Sequence, residues 1–148
     1  MINKPKVVTK PWGQELWLSD GSVMPYALKE ISFNAGNRTS LQVHKYKFET
    51  NYIKSGTGTL YLSSVFFDVD RYLSNQMSAD EIQDHINFMH PIELHPGIHF
   101  HVLPGHLHRV YATTDLVFIE ASSTELDDVI RLQDDSNRTH GTIQAEHK

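Results

Sequence analysis

Apolar and polar positions alternate from Tyr26 to Phe33, with Ala27, Lys29, Ile31 and Phe33 on one parity and Leu28, Glu30 and Ser32 on the other. A period of two predicts a strand, and Asn34-Ala35-Gly36-Asn37 ends it as a turn. Short extended stretches follow over 40–44, 51–54 and 58–62, separated by Gly56 and Gly58. The rhythm changes at 78–90. Ser78-Ala79-Asp80-Glu81 reads as a capping box, Ile82, Ile86 and Met89 recur at helical spacing, and Pro91 stops the run. Strands resume over 92–102, where Ile98, Phe100 and Val102 alternate with His99 and His101, and continue over 107–113 and 116–121 across turns at Pro104-Gly105 and Thr114-Asp115. The pattern predicts an all-β sandwich or jelly roll with one short helical insertion at 79–89. Residues 139–148 are polar and without period, a tail expected to fray.

Length agrees with a single domain over 1–148, and 39% hydrophobic residues suffice for a core. Thirteen Lys and Arg against 18 Asp and Glu give a net charge of −5 with no basic stripe, which argues against nucleic acid as a partner. No apolar run approaches the ~18 residues of a membrane span, and Met1-Ile2-Asn3-Lys4-Pro5 lacks the apolar centre of a signal peptide. A cytoplasmic protein without membrane contact is therefore expected.

The absence of cysteine excludes disulfides, thiolate metal sites and a thiol nucleophile, so any metal must rest on nitrogen and oxygen. Seven of the ten histidines lie between His85 and His108, but spacing singles out only His108 among them. Gln42 and His44, two apart on a strand, face one side while Leu41 and Val43 face the opposite, apolar side. Glu49 follows His44 by five residues, and His108 comes after the turn Leu103-Pro104-Gly105. One amide, two imidazoles and one carboxylate make a divalent-metal set.

The pattern Gly-x5-Gln-x-His-x4-Glu-x6-Gly from Gly36 to Gly56 resembles the first motif of the cupin superfamily, with Gln42 in place of its usual first histidine, and Pro104-Gly105-His106-Leu107-His108 resembles the second. The glutamine narrows the resemblance to the cupin domain of type II phosphomannose isomerases, including those fused to mannose-1-phosphate guanylyltransferases. Lys10-Pro11-Trp12-Gly13 and Asp127-Asp128-Val129-Ile130-Arg131 are similar to that family's opening and closing segments. The resemblance covers 10–138 and departs at 63–91, which is longer than the family's compact connection. It implies a double-stranded β-helix barrel over 10–138 and one divalent ion on Gln42, His44, Glu49 and His108. Zinc is the first expectation for that ion, with manganese, iron, cobalt and nickel as alternatives. It also implies interconversion of mannose 6-phosphate and fructose 6-phosphate, and a homodimer would be in keeping with it. The alternatives are a cupin that binds a sugar phosphate without catalysis, a sugar-nucleotide epimerase and a metal-dependent dioxygenase.

An aldose–ketose isomerase needs a group that moves a proton between C1 and C2 and positive charge near the enediolate. Lys29, on the inward parity with Ile31 and Phe33, is the first candidate for the proton carrier, with His106 and Glu120 as alternatives. A lysine inside a barrel needs an anion, either a substrate phosphate or a buried carboxylate. Arg109 could bind a phosphate through its two-pronged guanidinium, although strict alternation points it away from His108. His95, His99, His101 and His106 read as non-ligands, with His99 and His101 on a solvated strand face. His85 and His90 belong to the helical insertion. Trp12, Trp17 and Tyr111 read as core more than as a sugar platform.

Overall fold

The computed structural model describes residues 2–133 and 141–142. In chain order the elements are β1 (Lys6–Lys10), β2 (Gly13–Asp20), β3 (Ala27–Phe33), β4 (Leu41–Val43), β5 (Glu49–Ser55), β6 (Gly58–Ser63), α1 (Val69–Leu73), α2 (Ala79–Asn87), β7 (Met89–Leu94), β8 (His99–Val102), β9 (His108–Ala112), β10 (Leu116–Ser122), β11 (Ile130–Gln133) and β12 (Gly141–Thr142). They form two six-stranded antiparallel sheets, ordered β1-β2-β3-β10-β5-β8 and β12-β11-β4-β9-β6-β7. This is the expected all-β jelly roll, the double-stranded β-helix of cupins.

Parity sets what each strand buries. On β3, Ala27, Lys29, Ile31 and Phe33 are buried and the residues between them are not. The interior then divides along the barrel. Ile31, Phe33, Ile53, Leu60, Val110, Ala112, Leu116 and Phe118 pack with Trp12 as an apolar end, where the Trp12 and Phe33 rings stack at 4.1 Å. The same inward rows continue with Lys29 on β3, Glu49 and Asn51 on β5, His108 on β9 and Glu120 on β10, giving a polar end. A second core lies outside the barrel, where Leu41, Val43, Leu107, Ile130 and Leu132 meet Phe67 and Val69, with Ile82, Ile86 and Met89 against them. The insertion thus covers the outer face of the sheet whose inner face carries Gln42. At Gly56, φ is +83° and an added Cβ would stand 1.9 Å from the Asp115 carbonyl oxygen, so only glycine lets the β5–β6 turn pass there.

Several sequence expectations need correction. Pro91 does not stop the helix. The helix ends at Asn87, and Pro91 lies within β7, a strand at the edge of its sheet, where a missing N–H costs little. A second, five-residue helix, α1, precedes α2, too short for a period to be read. The barrel begins at Lys6, with β1 paired to β2. Within the tail expected to fray, Gly141 and Thr142 pair with Arg131 and Ile130; its other residues lie outside the described ones.

Candidate metal centre

The polar end of the barrel gathers His44, Glu49 and His108, whose ligand atoms all lie within 4.8 Å of one another. Glu49 Oε2 is 3.8 Å from His44 Nε2, and Glu49 Oε1 is 3.8 Å from His108 Nε2. Backbone carbonyls fix both rings: His44 Nδ1 donates to Asp128 O at 2.6 Å and His108 Nδ1 to His106 O at 3.0 Å. With the proton on Nδ1, each Nε2 presents a lone pair to the centre. Burial holds both imidazoles neutral, pushing His44 well below its ordinary value and His108 down to about 4. Gln42, paired opposite His108 across β4 and β9, reaches the same point. Its Nε2 lies 3.3 Å from His108 Nε2, and its Oε1 accepts from Ser40 Oγ at 3.1 Å. Turning the amide over would place its oxygen toward His108.

His44 Nε2 is buried and without a hydrogen-bond partner, a condition that costs about 1–3 kcal/mol when nothing satisfies the atom. Two neutral imidazoles, one carboxylate and an invertible amide around that atom fit a divalent ion of the nitrogen/oxygen class.

A charged network adjoins the cluster. Lys47 Nζ stands 3.3 Å from Glu49 Oε2 and 3.1 Å from Glu120 Oε1, all three nearly inaccessible to solvent. Burial and the neighbouring Glu49 push the Glu120 carboxyl above its ordinary value, against the pull of Lys47. Burial also pushes Glu49 up, but Lys47 and the hydrogen bond from Glu120 outweigh it and keep Glu49 below its ordinary value. For Lys47 the burial cost is exceeded by the two carboxylates, so its ammonium stays charged. Lys29 and Glu120 are register partners on β3 and β10. Lys29 Nζ lies 3.6 Å from Glu15 Oε1 and 4.2 Å from the Trp17 ring, whose Nε1 donates to the same carboxylate at 2.8 Å. The anion that Lys29 required is therefore a buried carboxylate.

Most of these side chains line a cavity of about 80 Å³. Of the residues singled out in the sequence, Gln42, His44, Glu49, Lys29 and Glu120 line it, His108 closes the ligand cluster, and Trp12 forms part of the wall. Arg109 faces the other side of β9 and does not line the cavity; its Nε donates at 2.8 Å to the carbonyl of Thr39, a residue of the cavity wall. His106 donates to the Ser63 carbonyl at 2.8 Å. His99 and His101 are exposed, their rings 5.5 Å apart. Sequence reasoning missed Lys47. The available signal was its place two residues before Glu49, on the same parity.

Fold and site together define a cupin with a candidate metal centre in its barrel. The family whose profile matches residues 11–142 is described as D-lyxose isomerase, and the chain belongs to that family. The narrower likeness to type II phosphomannose isomerases is not carried by this match. No curated protein matches the chain. Among solved structures, the capsular polysaccharide assembling protein CapF from Staphylococcus aureus superposes with a TM-score of 0.62 at 15% identity, over 89% of this chain and 32% of that one. KdgF from Halomonas sp. gives 0.59 at 16%, over 83% and 89%. Bacillus subtilis oxalate decarboxylase, a protein with Mn(II) centres, gives 0.61 at 15%, over 88% and 30%. The chain spans about a third of the CapF and oxalate decarboxylase chains. At these identities the likeness establishes the fold. No helix among the described residues is long and apolar enough to cross a membrane.

Proposed function

We propose that this protein is a metal-dependent aldose–ketose isomerase acting on an unphosphorylated sugar. The observation that carries the reading is the convergence of two inward Nε2 lone pairs and the Glu49 carboxylate within 4.8 Å, inside a barrel lined by buried Lys–Glu pairs. Membership of the D-lyxose isomerase family supports the reaction class. Held by His44, Glu49, His108 and an inverted Gln42, a divalent ion would polarise the sugar's oxygens. The donor set suits zinc, manganese, iron, cobalt and nickel alike. Zinc remains the first expectation from the sequence, and the Mn(II) of a structural neighbour puts manganese beside it.

The chain's own groups divide the remaining work. Lys47, held charged between two carboxylates, stabilises negative charge as the enediolate develops. Glu120, whose carboxyl is held above its ordinary value by burial, is the candidate to take a proton from the sugar and return it. The sequence makes Lys29 the first candidate for the proton carrier. Its contacts with Glu15 and Trp17 support a positively charged role beside Glu120 instead.

The family match, described by a free pentose, favours a neutral sugar over the mannose 6-phosphate expected from the resemblance. Lys29 faces Glu15 and Lys47 faces Glu49 and Glu120, so a phosphate dianion in the cavity would compete with those carboxylates for the same cations.

The test is ketose formation from a panel of free aldopentoses and aldohexoses and their phosphates, in D2O, by metal-loaded protein of known elemental content. Turnover of a free aldose with solvent deuterium entering at C1 of the ketose, lost with chelator and restored by one ion, is expected. Turnover confined to phosphorylated sugars would restore the mannose 6-phosphate reading. Full metal occupancy without turnover of any of them would leave a binding cupin.

A further inference from the structure

We propose that Asp128 is a positioning residue for the metal centre, acting on His44 and Lys47 from the segment just before β11. The inference rests on the metal reading above. Asp128 meets the 44–47 loop at four points. Its Oδ1 accepts from the Lys45 amide at 3.0 Å, and its Oδ2 accepts from the amides of Tyr46 at 2.6 Å and Lys47 at 2.9 Å. Its own carbonyl takes the His44 Nδ1 proton at 2.6 Å. One residue, 84 positions from His44, thus collects three consecutive backbone N–H groups and fixes the ring of a ligand candidate.

The two ends of this clamp serve different groups. The carbonyl holds His44 in the tautomer that leaves Nε2 bare. The carboxylate folds residues 45–47 into a tight bend that brings Lys47 Nζ to Glu49 and Glu120. Because β4 is three residues long and ends at Val43, no ladder hydrogen bond of that strand orders the bend. Asp128 supplies acceptors for amides that would otherwise turn to water. Three charge-assisted bonds on one carboxylate also hold the Asp128 backbone, and with it the carbonyl under His44.

The test uses the full chain, Asp128→Ala, Asp128→Asn and the exposed neighbour Asp127→Ala as control, each titrated with Co2+ and followed by calorimetry and by the visible absorption of the bound ion. Disturbing a hydrogen bond that orients a metal-binding histidine typically weakens metal binding about 10–100-fold. We expect that loss and a changed absorption band for Asp128→Ala, an intermediate loss for Asp128→Asn, which keeps one acceptor oxygen, and wild-type behaviour for Asp127→Ala. If Asp128→Ala does not fold, Asp128→Asn with an unchanged circular dichroism spectrum decides the matter. Wild-type affinity and spectrum in the folded variants overturn the positioning role while leaving the metal centre standing. Weaker binding with an unchanged band also overturns it, because that is general loosening. A wild-type protein that takes up no Co2+ overturns the metal centre and this role together.

Discussion

Lys47 is 4% exposed and lies between Glu49 and Glu120, so its removal leaves a buried carboxylate pair without its nearest cation. Breaking such a pair by deleting one partner typically costs about 3–5 kcal/mol. For Lys47→Met in chelator, urea unfolding at pH 7.5 should show a loss of that size, and the loss should shrink toward pH 5 as protons neutralise the pair. A loss below about 1 kcal/mol, or one independent of pH, would mean that Lys47 does not neutralise the pair. His108→Ala removes a ligand outright and should abolish stoichiometric metal by elemental analysis, whereas Gln42→Ala, which removes an amide and no Nε2, should weaken retention less. Equal metal content in both variants and the wild type would remove the centre. The clustering was legible in the sequence because strand parity and motif spacing bring Gln42, His44, Glu49 and His108 together. Their protonation was not legible. It depends on the carbonyls of Asp128 and His106 and on depth of burial, which no local pattern reports.

Among the elements, the helical insertion shows what periodicity can and cannot give. Ser78 was read as a cap, and its Oγ accepts from the Glu81 amide at 3.1 Å. The Glu81 side chain turns instead to Arg71 on α1, with both guanidinium nitrogens within 2.8 Å of its oxygens. That partner belongs to a helix of five residues, shorter than any readable period. The insertion packs by Ile82, Ile86 and Met89 on the face of the barrel opposite Gln42, so disturbing it should leave metal binding alone. Ser78→Ala should cost about 1 kcal/mol in denaturant unfolding with unchanged Co2+ affinity. A fall in affinity beyond the stability loss would place the insertion in the site. Strands β3, β9 and β10 were legible because inward apolar rows alternate cleanly. By contrast, β1 and β2 were not, since Lys10 and Glu15 are buried on rows that local polarity assigns to solvent, and the Lys29 that pairs with Glu15 comes from β3.

In the whole barrel, one end of the interior is apolar and the other is ionisable, so stability is tied to pH in a way that a uniformly apolar core would avoid. His108 titrates near 4 in the folded protein because of its burial, and at its ordinary 6.5 once unfolded. Between those values the unfolded chain binds a proton that the native protein refuses, so stability is full above about pH 6.5 and falls as pH drops toward 4. At 1.36 kcal/mol per unit, His108 alone accounts for about 3 kcal/mol over that window. His44 is pushed well down by the same burial and acts in the same direction. Glu120 acts oppositely: its raised value means that acidification through it favours the native state. Two imidazoles against one carboxyl leave a net loss. Chelated protein should therefore unfold at steadily lower urea between pH 6.5 and 4.5. Adding Co2+ at about 100 times its dissociation constant at pH 7 should raise stability by about 2.7 kcal/mol, because the ion binds only the native arrangement of Nε2 atoms. That increment should fade over the same acid window, since protons begin to compete for both rings. A urea midpoint that stays flat from pH 6.5 to 4.5 without metal would show that the two rings are protonated or solvated in the folded protein, and the inward lone pairs on which the metal reading depends would be lost.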